Sequence, residues 1–217
     1  MRFWIEKFLT QNDRKKKIRD YFLIYTILFV LISLFVFFAF IINRKSFVWK
    51  TDGLMQHYTA LTYYGKWLRT ILKGIFVDHS FSIPQWSFSL GYGADIISTL
   101  NYYCIGDPLS LLTVFVPSRY TEYLYNVLCI VRIYLAGAAF SCFCFRMKKG
   151  RLAAMAGAFS YTFCAYGLMA SIRHPYFTNP MIYLPLLLIG VERIFHKEKP
   201  TLFMGMVCIS AASNFYF

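Results

Sequence analysis

Long apolar blocks alternate with short polar segments along this chain. The first block runs from Tyr21 to Ile42 without a charged residue, and its length is close to the roughly 20 helical residues that cross a bilayer. Four more blocks follow, over residues 122–145, 152–172, 179–195 and 201–217. Each is predicted to be a membrane-spanning helix, the 179–195 block as a short span completed by flanking aromatic residues. The pattern predicts an all-α, polytopic integral membrane protein with five spans.

Three clusters of lysine and arginine separate the apolar blocks. They lie before the first span (Arg14–Lys17 and Arg19), between the second and third (146–151), and between the fourth and fifth (Lys197 and Lys199). Positively charged loops favour the cytoplasmic side of a membrane. We therefore expect a multi-pass protein of the cell membrane with a cytoplasmic N-terminus, and with residues 43–121 and 173–178 on the extracytoplasmic side.

The long outer segment, residues 43–121, contains one helical pattern. Its apolar residues recur at steps of three and four: Leu54, Tyr58, Leu61, Gly65, Leu68, Leu72 and Ile75. Threonines and the cations Lys66, Arg69 and Lys73 fall on the opposite side. This spacing predicts an amphipathic helix that lies along the lipid headgroups with its cationic side toward the phosphates. Beyond it, proline and glycine turns predict short pieces that cap the outer face.

Composition supports the assignment to membrane proteins and argues against nucleic acid as a partner. Hydrophobic residues make up 58% of the chain and charged residues only 15%, far from the values of a soluble domain. The net charge of +13 is divided among the clusters between spans, which favours a role in topology and not nucleic-acid binding. The six cysteines lie mostly inside apolar blocks without a CxxC pair, so we predict packing roles, with neither a zinc site nor a disulfide framework.

Three polar residues close to the start of the amphipathic helix could carry chemistry. Asp52 follows the first span and precedes the helix, where aspartate is a common N-cap. A capping carboxylate beside lipid headgroups could also accept a proton or bind a cation. Gln56 and His57 add an amide and an imidazole one turn later, although both could simply belong to a solvated helix face.

Further charged residues offer a second set of candidates. Asp95 and Asp107 stand beside glycine or proline turns, where aspartate often serves only the local backbone, and Asp107 is the stronger candidate because Asn101, Tyr102 and Tyr103 closely precede it. Arg173 and His174 form either a clamp for a phosphate or an anchor to headgroups. Arg132 lies deep in the second span, so it is expected to need a buried partner or a polar cavity.

Five short motifs, in this order around the spans, resemble the bacterial YfhO family of membrane proteins. They are Thr51-Asp52-Gly53 with Gln56 and Tyr58, Leu90-Gly91-Tyr92-Gly93, Tyr102-Tyr103 with Gly106-Asp107-Pro108, Arg173-His174-Pro175, and Ser213-Asn214-Phe215-Tyr216. The resemblance covers almost the whole chain, but only the N-terminal part of a family with much longer members. The last apolar block also stops without a flanking polar stretch. We therefore expect a C-terminally truncated piece of a longer protein.

The resemblance implies a GT-C-like helix bundle and a glycosyltransferase. Such enzymes take a sugar from a polyprenyl-phosphate donor and add it to an acceptor outside the membrane, here a cell-envelope polymer such as teichoic acid. The essential acidic residue of the first outer loop corresponds to Asp52, with Asp107 as a second possibility. Substrate binding would fall to Gln56, His57, Lys66, Arg173 and His174. A divalent metal, Mg²⁺ or Mn²⁺, is a possible cofactor that no residue set identifies.

Two other functions stay open from the sequence. A transporter or lipid flippase would also use several spans and a buried Arg132, but transporters usually place binding groups near the membrane midplane. Here Asp52, Asp107, Arg173 and His174 are predicted to gather at the outer surface, which favours chemistry on a lipid-borne substrate. A non-enzymatic scaffold, or an inactive fragment in which Asp52 is only a cap, is the third alternative.

Overall fold

The computed structural model describes residues 2–213 of the chain, with side chains from Lys17 onward. The protein is mostly helical. Its α-helices are α1 (Arg2–Val36), α2 (Phe38–Ile42), α3 (Thr59–Phe76), α4 (Ile96–Asn101), α5 (Thr121–Arg146), α6 (Arg151–Thr162), α7 (Ala165–Arg173), α8 (Asn179–Phe195) and α9 (Thr201–Ser213). A π-helix covers Gly53–Tyr58, and 3₁₀ segments cover Ser110–Phe115, Ser118–Tyr120 and Pro175–Thr178. The two strands β1 (Trp86–Ser87) and β2 (Ala94–Asp95) form a small antiparallel hairpin.

Two helical stretches are long and apolar enough to cross a membrane, Lys17–Val36 and Ser118–Arg146. The predicted third span is broken into α6 and α7, which meet at 46° and together form a bent span or a re-entrant loop. The last two blocks are helical but short in the described part of the chain, because α8 has 17 residues with Pro185 inside it and α9 is followed only to Ser213. The five-span layout therefore stays a prediction for these two helices, as does its end at residue 217, which lies outside the described residues.

Helix α5 occupies the centre of the bundle. It packs against α6 on one side and against α8 on another, and α8 in turn packs on α9. The N-terminal helix adds an aromatic edge: the Tyr25 ring stacks on Phe159 with centroids 5.4 Å apart, and the Tyr21 hydroxyl is hydrogen-bonded to Ser141 at 2.9 Å. Close approach is possible at Gly137, where a side chain would overlap the Tyr25 hydroxyl. Burying these rings in contact with one another stabilises the bundle.

The two ends of the bundle differ in charge. At one end Lys17, Lys149 and Arg151 line a common cavity, and Arg146 pairs with Glu198. The segments 43–121 and 173–178 pack together at the other end through contacts such as that between His57 and His174. The basic clusters thus share one end, and the two predicted outer segments share the other. The membrane topology inferred from the charge pattern stays a prediction. Which end faces the cytoplasm stays a prediction.

The predicted amphipathic helix exists, but its buried side matches the predicted apolar side only at Leu61 and Gly65. The buried stripe comprises His57, Ala60, Leu61, Tyr64 and Gly65. The 3₁₀ segment Ser110–Phe115 covers Leu61 and Gly65, whereas α4 and Tyr176 pack against Ala60 and Tyr64.

Arg69 does not belong to a free cationic face. Its guanidinium donates to the carbonyls of Thr113 and Val116 at 2.8 and 2.7 Å. Only Lys66 and Lys73 of the predicted cations are exposed. Asp95 accepts a hydrogen bond from the Ser98 amide at 2.6 Å and caps α4, which confirms its predicted local role.

Candidate functional site

The polar residues near the start of α3 lie on a π-helix. The Leu54 amide donates to the Trp49 carbonyl at 2.7 Å, five residues back, which is the spacing of a π-helix. Gly53 permits this arrangement, because a side chain there would press on the Trp49 side chain. Such wide turns are rare and occur frequently at functional sites. Here the turn directs His57 toward His174 and Gln56 toward Asp52, whose carboxylate also lies near His174.

Asp52 is held by its neighbour's amide. Gln56 Nε2 donates to Asp52 Oδ1 at 3.1 Å, and the carboxylate makes no capping hydrogen bond to the helix. The N-cap interpretation is therefore wrong, since Asp52 itself has helical backbone angles. The other carboxylate oxygen lies 3.8 Å from His174 Nε2, and 44% of the Asp52 side chain is exposed. An exposed carboxylate that is anchored on one side remains accessible to a substrate.

His57 connects this surface carboxylate to the interior. Its side chain is only 1% exposed, so the solvated-face interpretation is wrong. His57 Nε2 lies 2.9 Å from His174 Nδ1, while its Nδ1 has no partner among the residues whose side chains are described. Burial, and next the nearby His174, lower the pKa of His57 to about 4. His57 is consequently uncharged at neutral pH and can fix the orientation of the His174 ring.

An uncharged cavity of about 260 Å³ lies beside Gln56. Its polar lining is made of amide and hydroxyl groups: Gln56, Thr59, Tyr63, Ser89, Thr99 and Tyr103. The Tyr103 hydroxyl donates to Gln56 Oε1 at 3.0 Å, and burial raises the pKa of Tyr103 so that it stays a donor. Hydroxyl and amide groups set among aromatic rings suit a neutral ligand that carries several hydroxyl groups.

Asp107 lies beneath this surface instead of on it. The side chain is fully buried and pairs with the guanidinium of Arg132. It also accepts hydrogen bonds from the Ser110 hydroxyl and amide and from Asn179 Nδ2. The prediction that Asp107 gathers with the other polar residues at the outer surface is therefore wrong, because Arg132 draws it into the bundle. The predicted need of Arg132 for a buried partner is confirmed.

Several members of this buried network carry no sequence signal of their own. Asn179 Oδ1 accepts from Arg132 Nε at 3.0 Å, and the Ser213 hydroxyl accepts from Tyr183 at 3.1 Å. The Tyr176 ring lies between this buried network and the surface cluster that contains Asp52 and His57. Its centroid is 5.6 Å from that of His57 and 5.1 Å from the Arg132 guanidinium carbon. Only the isolated charge of Arg132 pointed to such a network, and it did not identify the partners.

The remaining predicted binding residues stand apart. Arg173 stacks over the Trp49 ring at 4.8 Å, so it borders the Asp52 cluster through an aromatic neighbour. Lys66 is exposed on α3, nine residues beyond His57 and hence roughly 13 Å further along the helix. Among the side chains from residue 17 to 213, no group of three histidine, cysteine or acidic residues is arranged to hold a metal ion. A role for Mg²⁺ or Mn²⁺ stays a prediction.

Comparison with known proteins places this chain in a family. The family described as "Bacterial membrane protein YfhO" matches residues 25–217. A protein of Bacillus subtilis (strain 168), described as "Uncharacterized protein YfhO", is 31% identical over 71 residues. That match covers 33% of this chain and only 8% of the Bacillus protein. No solved structure matches the chain.

Proposed function

Since the chain belongs to the YfhO family of bacterial membrane proteins, we propose that the whole protein is a GT-C type glycosyltransferase. It transfers a sugar from a polyprenyl-phosphate donor to an extracytoplasmic cell-envelope polymer such as teichoic acid. The observation that carries the proposal is the half-exposed Asp52 carboxylate, anchored by Gln56 beside an uncharged cavity. This combination provides a base next to a space suited to a neutral, hydroxyl-rich ligand.

Asp52 acts as the general base in this reaction. An acceptor hydroxyl attacks the anomeric carbon of the donor sugar, the new C–O bond forms, and the bond from that carbon to the phosphate oxygen breaks. Asp52 takes the hydroxyl proton, and the lipid phosphate leaves with the bonding electrons. Gln56 orients the carboxylate, because its amide occupies Oδ1 and leaves Oδ2 free toward His174.

The departing phosphate gains negative charge and requires donors fixed in place. His174 is positioned for this role, because its ring is held by His57 on one side and stacks on Phe177 with centroids 4.9 Å apart. Arg173 lies next to it in the chain and adds a cation. Lys66, further along α3, reaches only a more distant part of the donor.

Asp107 supports the site structurally and does not act as a second base in this proposal. Its oxygens are occupied by Arg132, Asn179 and Ser110, so no free lone pair faces a substrate. The same observation weighs against a transporter or flippase, since the charges inside the bundle are satisfied by each other. The alternative that the protein is a non-enzymatic scaffold is distinguished from glycosyl transfer by the following experiment.

The test is transfer of radiolabelled sugar from a polyprenyl-phosphate donor into envelope polymer by membranes that contain the full-length protein. Asp52→Asn is expected to lower transfer at least about 100-fold at equal abundance, since it removes the base. Asp78→Asn, which changes another exposed carboxylate of the same segment, serves as the matched control and retains full transfer. Equal labelling by all three proteins contradicts the role of Asp52, and no labelling by any of them favours transport or scaffolding.

A further inference from the structure

A second site lies at the opposite end of the bundle from Asp52. A cavity of about 360 Å³ is lined there by Lys17, Ile18, Phe145, Lys149, Gly150 and Arg151. Its cations come from three parts of the chain: α1, the turn after α5, and the first residue of α6. All three cationic residues are exposed. Three positive charges from two basic clusters that are distant in the sequence thus converge on one space.

Among the residues whose side chains the structure describes, from Lys17 to Ser213, no carboxylate lines this cavity. A neighbouring cavity of about 250 Å³ at the same end provides an internal comparison, because it is lined by Arg146 and Lys148 together with Glu192 and Glu198. There Arg146 pairs with Glu198, and Arg193 also donates to Glu198 at 3.1 Å. Within the described side chains, Arg146 of one cavity is therefore paired with a carboxylate, whereas Lys17, Lys149 and Arg151 of the other are not.

The position of the cavity lined by Lys17, Lys149 and Arg151, at the ends of the two candidate spans, indicates the kind of ligand. Lys17 begins one candidate membrane span, and Phe145 lies at the end of the other, so the cavity stands where a bilayer changes from hydrocarbon to headgroups. Ile18 and Phe145, which both belong to the candidate spans, form the apolar part of the cavity wall. Lysine and arginine side chains at such a depth attract anionic lipids, and arginine binds phosphate oxygens with two parallel donors.

We propose that this cavity binds the headgroup of an anionic phospholipid. The phosphodiester lies among Lys17, Lys149 and Arg151, while the glycerol and upper acyl chains contact Ile18 and Phe145. Gly150 leaves room for the headgroup, since the space that its side chain would occupy is open. This site is independent of the proposed glycosyl transfer, because it lies at the other end of the bundle and uses none of the same residues.

The experiment measures lipid retention by the full-length protein in native mass spectrometry. The probes are phosphatidylglycerol, phosphatidylcholine and, in a separate arm, inorganic phosphate. The triple variant Lys17→Gln/Lys149→Gln/Arg151→Gln is expected to retain about tenfold less phosphatidylglycerol. The matched control Lys148→Gln/Lys197→Gln/Lys199→Gln removes the same charge at the same end and is expected to stay within about twofold of the unchanged protein. The single variant Lys149→Gln, expected to lose about threefold, gives the answer if the triple variant does not fold.

Three results would overturn the proposal. An equal loss in both triple variants means that only overall charge matters. Equal retention of phosphatidylglycerol and phosphatidylcholine means that the cavity does not recognise an anionic headgroup. Displacement of the lipid by an equal concentration of inorganic phosphate means that the ligand is free phosphate and not a lipid.

Discussion

His57 is a buried imidazole with one ring nitrogen committed to His174 and the other without a described partner. The cost of burying its charge, and next the repulsion from His174, set its pKa at about 4, compared with about 6.5 in an unfolded chain. The unfolded state therefore binds more protons than the folded state between these two values. Stability should be complete above about pH 6.5 and decrease as the pH falls toward 4.

This difference gives a measurable pH dependence. From the two pKa values, the loss of stability on going from pH 7 to pH 4 is on the order of 3 kcal/mol. Replacing His57 by Gln should remove this component, so the thermal midpoint in detergent should change less with pH than that of the unchanged protein. His79→Gln, which alters an exposed histidine, should leave the pH dependence intact. An identical pH response in the His57 variant would show that the ring is not buried in its neutral form.

Asp107 and Arg132 form a second residue-scale test. Asp107→Asn leaves the buried Arg132 charge without its counter-ion, which typically costs about 3–5 kcal/mol. The double variant Asp107→Asn/Arg132→Gln should lose less than the sum of the two single variants, because neither charge is left unpaired. Denaturant unfolding followed by circular dichroism provides the measurement. Glu122→Gln, an exposed position near the start of α5, is the control, and a similar effect of this change would contradict the pairing.

At the scale of elements, Gly106 determines how closely the outer segment approaches α9. A methyl group there would overlap the backbone carbonyl of Ala212. The adjacent Ser213 hydroxyl accepts hydrogen bonds from Tyr183 and Asn179, so displacing the end of α9 also disturbs the buried network. Gly106 is therefore fixed by packing and not by backbone conformation.

Gly106→Ala should lower the free energy of unfolding by roughly 1–3 kcal/mol, since neither backbone can yield without losing contacts. Gly205→Ala provides the comparison on α9 itself, because the space beside Gly205 is open and alanine favours a helix. That control should be neutral or slightly stabilising. Equal stability of both variants in thermal unfolding would contradict the close approach.

The sequence predicts elements well where one physical signal dominates. The two longest apolar stretches are helices that can cross a membrane, because hydrophobic length alone decides this property. Prediction from the sequence fails where tertiary contacts determine the conformation or the buried side of an element. The buried side of α3 is determined by the 3₁₀ segment and α4, which pack against it, and the wide turn at Gly53–Tyr58 changes the helical period. Neither can be read from the spacing of apolar residues.

At the scale of the whole molecule, the charge pattern predicted which segments share an end, but not their contacts. Asp52, Gln56, His57 and His174 were all singled out from the sequence, and the fold brings them together. Asp107 was predicted at the same surface and is buried instead. An isolated arginine in an apolar block, such as Arg132, predicts a buried partner. Which acidic residue becomes the partner depends on how the outer segment folds back onto α5.

The predicted orientation can be tested directly. A membrane-impermeant maleimide applied to intact cells should label Tyr92→Cys, which lies in an exposed turn of the outer segment. Lys199→Cys, at the basic end, should react only after the cells are opened. Labelling of the unchanged protein, which has six free cysteines, supplies the background. Reaction of Lys199→Cys alone on intact cells would reverse the topology.

The buried network also imposes an order on biosynthesis. Arg132 follows Asp107 by 25 residues, whereas Asn179 follows Asp107 by 72. At about 5–20 residues per second, the ribosome delivers Arg132 roughly 1–5 s after Asp107, and Asn179 several seconds after that. We therefore expect the charge pair to form before α8 is available to enclose α5. Asn179 would then complete the hydrogen bonds of a pair in which Arg132 is already neutralised.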